Sequence, residues 1–216
     1  MTFHNSVIHP VVIIVLMLCW LVFAGVFVLR KKPKTGRAQK RDRSSLIGLS
    51  IQVIGFLTVW VMRRPIPSDL VPFGKVVETI IAIVAIGLAI SSVWMTSAAV
   101  LVLNRQWSLG AQLIEGHKLV TTGPYRLVRH PIYSGMLGLM LATALALSRW
   151  IAILPATILL VAGAVIRIRS EEKLLRNTFG PEFEDYVRKV PMLIPRCFLR
   201  RVAPSNLFEG DNSAGK

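Results

Sequence analysis

Two stretches of this chain concentrate groups that could do chemistry. One is Glu115-Gly116-His117-Lys118-Leu119-Val120-Thr121-Thr122-Gly123-Pro124-Tyr125-Arg126-Leu127-Val128-Arg129-His130-Pro131-Ile132-Tyr133-Ser134-Gly135, and the other is Arg167-Ile168-Arg169-Ser170-Glu171-Glu172. Gly123-Pro124 reads as a turn, and Pro131 restricts His130 to an extended backbone just before an apolar run. A helix opening there leaves its first amides for an anionic or polar ligand group. Tyr125 and Tyr133 add aromatic faces, which attract cations as well as flat rings. Arg167 and Glu171 are four apart on one helix face, as a structural ion pair or as a functional couple. Taken alone, His130 reads more simply as a helix-cap residue than as a ligand group. Cys19 and Cys197 offer neither a CxxC nor a Cys/His metal spacing and are not expected to pair, so nothing argues for zinc or iron.

The elements that must position these groups are apolar. Hydrophobic residues make up 53% of the 216 positions, and several runs are long enough to cross a bilayer. The pattern predicts an all-α polytopic membrane bundle with about five transmembrane helices: Val7 to Leu29, Leu46 to Met62, Val76 to Leu103, Ile132 to Leu147 and Trp150 to Ile166. The first run is preceded by a leader without Lys or Arg and followed by Arg30, Lys31, Lys32 and Lys34, a stop-transfer pattern that reads as a retained anchor. Ser91, Ser92, Thr96 and Ser97 give the third span small residues for close helix contact. Only Ser148 and Arg149 join the last two spans, which predicts a tight antiparallel hairpin. Beyond it, Phe183, Tyr186, Val187 and Val190 follow helical spacing in an amphipathic helix after Gly180-Pro181. That helix is expected on the membrane surface or over the preceding loop.

A net charge of +15 would raise nucleic-acid binding in a soluble protein, but the basic residues collect at the ends of apolar runs, so no nucleic acid is expected. With the N-terminus outside, segments 30–43, 104–131 and 167–216 face the cytoplasm and hold 22 of the 26 Lys and Arg residues. The expected organisation is an N-terminal three-span membrane region, 1–103, with a basic cytoplasmic loop at 30–45. A catalytic region, 104–201, and a disordered tail, 202–216, follow. Both chemistry-bearing stretches then abut the cytoplasmic end of one hairpin, where ionisable groups at a membrane boundary suggest a functional site.

The run 116–135 resembles the signature of the isoprenylcysteine carboxyl methyltransferase family, and Glu171-Glu172, Phe179-Gly180, Tyr186 and Val190-Pro191…Ile194-Pro195 match that family's C-terminal pattern in order and spacing. The resemblance is specific from about Asn104 to Phe198; the first three spans match only in being hydrophobic. It implies S-adenosyl-L-methionine as cofactor, held between the last two spans and the C-terminal segments. By motif position, His117, Lys118, Leu119 and Val120 would contact the cofactor, and Tyr125, His130, Pro131, Ile132 and Tyr133 would continue the pocket. Glu171 would bind a polar part of the cofactor, Arg167 would face the substrate, and Gln112 matches a further cofactor contact over a shorter loop.

The implied reaction is in-line displacement of a methyl group from the sulfonium onto a nucleophile. A carboxylate acceptor is already ionised at neutral pH, and a dry site favours the loss of charge as the methyl moves. An amine acceptor would need deprotonation, for which Glu172 is the candidate base. The resemblance implies a lipophilic carboxylate such as prenylcysteine as the acceptor. A phospholipid headgroup or a small thiol or amine is the alternative on the same fold, reached from the bilayer or the cytoplasm. Two further readings are an NADPH-dependent sterol-type reductase, whose C-terminal region has a related Arg-His-Pro-x-Tyr element, and a non-enzymatic membrane scaffold.

Overall fold

A computed structural model describes residues 8–29, 43–65, 74–103 and 119–195. Among them the chain forms six α-helices: α1 (Ile8–Val28), α2 (Arg43–Val61), α3 (Lys75–Leu103), α4 (Pro131–Leu147), α5 (Trp150–Phe179) and α6 (Pro181–Lys189). A 3-10 turn, Gly123–Arg126, precedes α4. The all-α membrane bundle expected from the apolar runs is the observed architecture. The basic loop 30–42, the segment 104–118 and the tail lie outside the described residues.

Helices α1, α2, α3 and α5 are long and apolar enough to cross a membrane, whereas α4 has 17 residues. At 1.5 Å per residue α4 extends only about 25 Å. It tolerates this shortness because it is the inner helix, with Leu139, Met140, Ala142, Thr143, Ala144 and Ala146 all buried. Helix α5 continues unbroken for 30 residues, so the segment after Ile166 is a direct extension of the fifth span and not a separate helix. Its charged turns, from Arg167 onward, project beyond the apolar part.

Two close helix pairs fix the hairpin. Between α2 and α5, a Cβ at Gly163 would lie 2.5 Å from the Gly48 oxygen, and one at Gly55 would lie 3.1 Å from the Ala156 oxygen. Between α3 and α4, a Cβ at Gly135 would stand 2.1 Å from Thr96 Oγ1, and one at Gly138 would stand 2.2 Å from Ser92 Oγ. Small residues let these backbones approach, the usual source of helix association where lipid removes the hydrophobic drive. Along α1 and α3, Val12, Leu16, Ala82, Ala85 and Ala89 fill a buried apolar cluster. Trp20 Nε1 donates to Thr143 Oγ1 at 3.1 Å, tying α1 to α4.

The two-residue hairpin turn is tight, as its length requires. Ser148 Oγ donates to the Val59 oxygen at 2.7 Å, and the Arg149 and Arg64 amides donate to Met62 and Leu147 oxygens. Arg64 Nη2 also donates to the carbonyls of Leu145 and Ala146, where a cation suits a helix C-terminus.

Candidate active site

At the other end of the hairpin, the loop before α4 folds against the charged turns of α5. Gly123 has φ of +61°, a conformation that favours glycine, and Pro124 starts the 3-10 turn that buries Tyr125. His130 precedes Pro131 at φ −125°, ψ 65°, and its side chain makes no helix cap. It turns to the acidic pair, with Nε2 3.2 Å from Glu172 Oε1 and Nδ1 3.7 Å from Glu171 Oε2. Tyr133, one turn into α4, donates its hydroxyl to Glu171 Oε1 at 2.5 Å.

Glu172 is the anchor of the cluster. Arg129 Nε and Nη2 each approach Glu172 Oε1 at 3.0 Å, and Arg176 Nη2 approaches Oε2 at 3.3 Å. Burial opposes ionisation of this carboxyl, but the His130 hydrogen bond and the Arg129 charge outweigh it and hold the group at about 2, against an ordinary 4.5. Such a carboxylate is a poor proton acceptor near neutral pH, so the geometry speaks against the general-base role expected of Glu172. Glu171 differs. Its side chain keeps 26% of its exposure, it accepts a hydrogen bond from the Tyr133 phenol, and the His130 imidazole stands 3.7 Å away.

Arg167, one helical turn before Glu171, is buried. Its Nη1 donates to Gln52 Oε1 on α2 at 3.3 Å, and its guanidinium carbon lies 5.5 Å from the centroid of the Tyr133 ring. The four-residue spacing of Arg167 and Glu171 thus puts both against Tyr133, with Gln52 as a further partner of Arg167.

The C-terminal segments close the loop from above. Helix α6 carries Phe183, Tyr186 and Val190 into a cluster with Leu119, Leu175, Phe179 and Val187. It therefore covers the loop, the second of the two placements its amphipathic pattern allowed. Burial pushes the Tyr186 hydroxyl up in pKa, keeping it protonated, and it donates to the Tyr125 oxygen at 2.7 Å. Arg129 Nη1 donates to the Val187 and Val190 oxygens at 3.3 and 2.5 Å. The Arg129 and His130 amides donate to the Pro191 and Met192 oxygens, and Ser134 Oγ donates to the Leu193 oxygen at 2.6 Å.

The structure thus brings Tyr125, His130, Pro131, Ile132, Tyr133, Arg167, Glu171 and Glu172 to one end of the hairpin, with Leu119 and Val120 on the adjoining strip. Gln112, His117 and Lys118 lie outside the described residues. Sequence reasoning gave no role to Arg129, Ser134, Tyr186 or Gln52. A glutamine inside an apolar run was the available signal for the last.

Comparison with known proteins adds lineage to this geometry. The phospholipid methyltransferase family model matches residues 80–182, just under half of the chain and including α4, α5 and both motif segments. The chain is 42% identical over 79 residues to a probable protein-S-isoprenylcysteine O-methyltransferase of Oryza sativa subsp. indica, covering 37% of this chain and 41% of that protein. The family resemblance holds. The chain is also 40% identical over 124 residues to the nickel-cobalt-cadmium resistance protein NccN of Alcaligenes xylosoxydans xylosoxydans, covering 54% of each chain. It is 37% identical over 89 residues to methanethiol S-methyltransferase 2 of Bradyrhizobium diazoefficiens, covering 41% of this chain and 33% of that protein. The chain therefore spans about half, or less, of the length of these relatives.

Proposed function

We propose that this chain is an integral membrane methyltransferase, dependent on S-adenosyl-L-methionine, that methylates a lipophilic carboxylate such as prenylcysteine. One observation carries the reading: His130 and Tyr133 from the motif loop meet Glu171, Glu172 and Arg167 from α5 in one cluster. The relatives named as methyltransferases favour methyl transfer over reduction. In this reading residues 104–201 are the catalytic region and 1–103 the three-span membrane region. The site faces the cytoplasm with the N-terminus outside, because the basic residues flank the spans on that side.

The residues suit the cofactor. Glu171 is the carboxylate of the pair whose oxygens meet no arginine at salt-bridge distance among the described residues, and it keeps partial exposure. It is therefore suited to hold a cationic or hydroxyl group. Tyr133 and Tyr125 supply aromatic surface beside it. Leu119, Val120, Tyr125, His130, Pro131, Ile132, Tyr133 and Glu171 would hold the cofactor, joined by Gln112, His117 and Lys118 from the motif. When bound, S-adenosyl-L-methionine supplies an electrophilic methyl group on a sulfonium.

The chain's own residues then do three things. Tyr133 fixes one oxygen of Glu171 and so orients the cofactor-binding carboxylate. Arg167 holds and aligns the acceptor carboxylate, for which a guanidinium offers paired N–H donors. Glu172 holds Arg129, His130 and Arg176 in place and takes no proton. An ionised carboxylate needs no base, so alignment and exclusion of water account for the rate. The phospholipid and methanethiol names of its relatives favour a second reading, with an amine or thiol as acceptor. That reading needs a proton acceptor other than the ion-paired Glu172.

Titration of the purified, detergent-solubilised chain with S-adenosylhomocysteine and with NADPH tests the proposal. Binding of the first alone is expected. Binding of NADPH alone would make the protein a reductase, and binding of neither would leave a scaffold. Transfer of radiolabel from methyl-labelled cofactor to a prenylcysteine, a phospholipid or a thiol then identifies the acceptor.

A further inference from the structure

Gln52 lies in the middle of α2 and is 1% exposed. It packs on α5 at Gly163, where a Cβ would come 2.7 Å from Gln52 Cγ. One turn along, Arg167 Nη1 donates to its Oε1 at 3.3 Å. A guanidinium has donors only, so this contact fixes the amide: the carbonyl faces Arg167 and the NH2 group turns away from it. Gln52 Nε2 is buried with no hydrogen-bond partner among the described residues. A buried amide donor without an acceptor is unfavourable, and a leucine or methionine would fill the same space without that penalty.

The position of the amide indicates what it serves. Gln52 meets α5 at Gly163 and Arg167, on the apolar side of the cluster, while Glu171 and Glu172 lie a turn further toward the polar end. Tyr133 approaches the same guanidinium from α4. The geometry points to Gln52 as an acceptor-recognition residue: its amide N–H donates to an oxygen of the anionic group that Arg167 holds. The substrate class is thereby a carboxylate on an apolar carrier, entering from the bilayer side. This inference rests on the proposed methyl transfer, and it assigns a residue outside the segment 80–182 that the family model matches.

The test uses the full chain in detergent with Gln52→Met, an unbranched side chain of similar volume, and Gln52→Glu. Three quantities are read: the apo melting temperature, the S-adenosylhomocysteine Kd, and KM and kcat with N-acetyl-S-farnesylcysteine. Gln52→Met is expected to melt at or above the wild-type temperature, to bind S-adenosylhomocysteine as wild type does, and to raise KM about tenfold, the worth of one hydrogen bond to a charged group. Gln52→Glu is expected to raise KM further, because its carboxylate occupies Arg167. A lower melting temperature for Gln52→Met with KM unchanged would make Gln52 a packing residue and overturn the inference. Wild-type protein that binds S-adenosylhomocysteine but methylates only an amine or thiol would also overturn it. Wild-type protein that binds no S-adenosylhomocysteine would instead refute the methyltransferase reading.

Discussion

Replacing Glu172 separates a residue that builds the site from one that moves a proton in it. Its carboxylate is 8% exposed and contacts Arg129, His130 and Arg176 between 3.0 and 3.3 Å. Removing one member of a buried ion pair commonly destabilises by about 3–5 kcal/mol, because the remaining charge is left uncompensated. Arg129 would keep the Val187 and Val190 oxygens and Arg176 would keep Glu184, so the lower end applies. Glu172→Ala is therefore expected to lose about 3 kcal/mol and to melt roughly 6–12 °C lower. Glu172→Gln keeps an acceptor oxygen and should fall between that variant and wild type. The pH dependence follows from a carboxyl lowered from 4.5 to about 2 in the fold. Its stabilisation is complete above about pH 4.5 and is lost as pH falls toward about 2. Thermal melts of wild type and Glu172→Gln should draw together from pH 7 to pH 3 and meet only as the pH approaches about 2. The reasoning fails if Glu172→Gln melts like wild type at pH 7 yet loses turnover together with the acidic limb of its rate profile, since that is the signature of a general base.

Arg167→Lys is expected to lower methyl transfer to a carboxylate acceptor at least tenfold while S-adenosylhomocysteine Kd changes little; equal loss of both would remove the acceptor assignment. Glu171→Gln should weaken S-adenosylhomocysteine binding by roughly tenfold, measured by calorimetry, and unchanged affinity would reject its cofactor role. Gly163→Ala places a methyl 2.5 Å from the Gly48 oxygen and 2.9 Å from the Gln52 backbone nitrogen, so α2 must move off α5. A fall in melting temperature corresponding to about 1–3 kcal/mol is expected, and no change would show that this helix contact is looser than described.

The spans were legible because length and apolarity alone define them, and α2 and α3 begin within three residues of the expected starts. The short α4 was legible too, but its role as the inner helix was not, since all-round apolarity does not distinguish lipid from protein neighbours. The site was readable as two segments. Their junction depends on side-chain directions that spacing cannot supply: the Arg167 and Glu171 spacing allowed a simple pair, whereas the fold sets Tyr133 against both and gives Arg167 to Gln52. Glu172 looked like a free base because its principal partner, Arg129, is 43 residues away in the chain. The strap at 191–193 was visible only as a pattern, because its bonds to the loop run through backbone carbonyls.

This division of labour bears on how the acceptor could change while the proposed cofactor site is kept. The residues proposed for the cofactor come from the motif loop, the start of α4 and the charged turns of α5, all connected by the Arg129–Glu172 ion pair. That assembly is braced by α6 and the strap, so a change there disturbs several partners together. The proposed acceptor side is built differently: Arg167 comes from α5, but the surface it faces comes from α2, through Gln52 and Gly48. Helix α2 reaches the cluster through the Gln52–Arg167 hydrogen bond, so its inward side chains can change while the residues proposed for the cofactor stay fixed. The physical consequence is that exchanging residues on the Gly48–Gln52 face should alter which acceptor is methylated while S-adenosylhomocysteine affinity is retained.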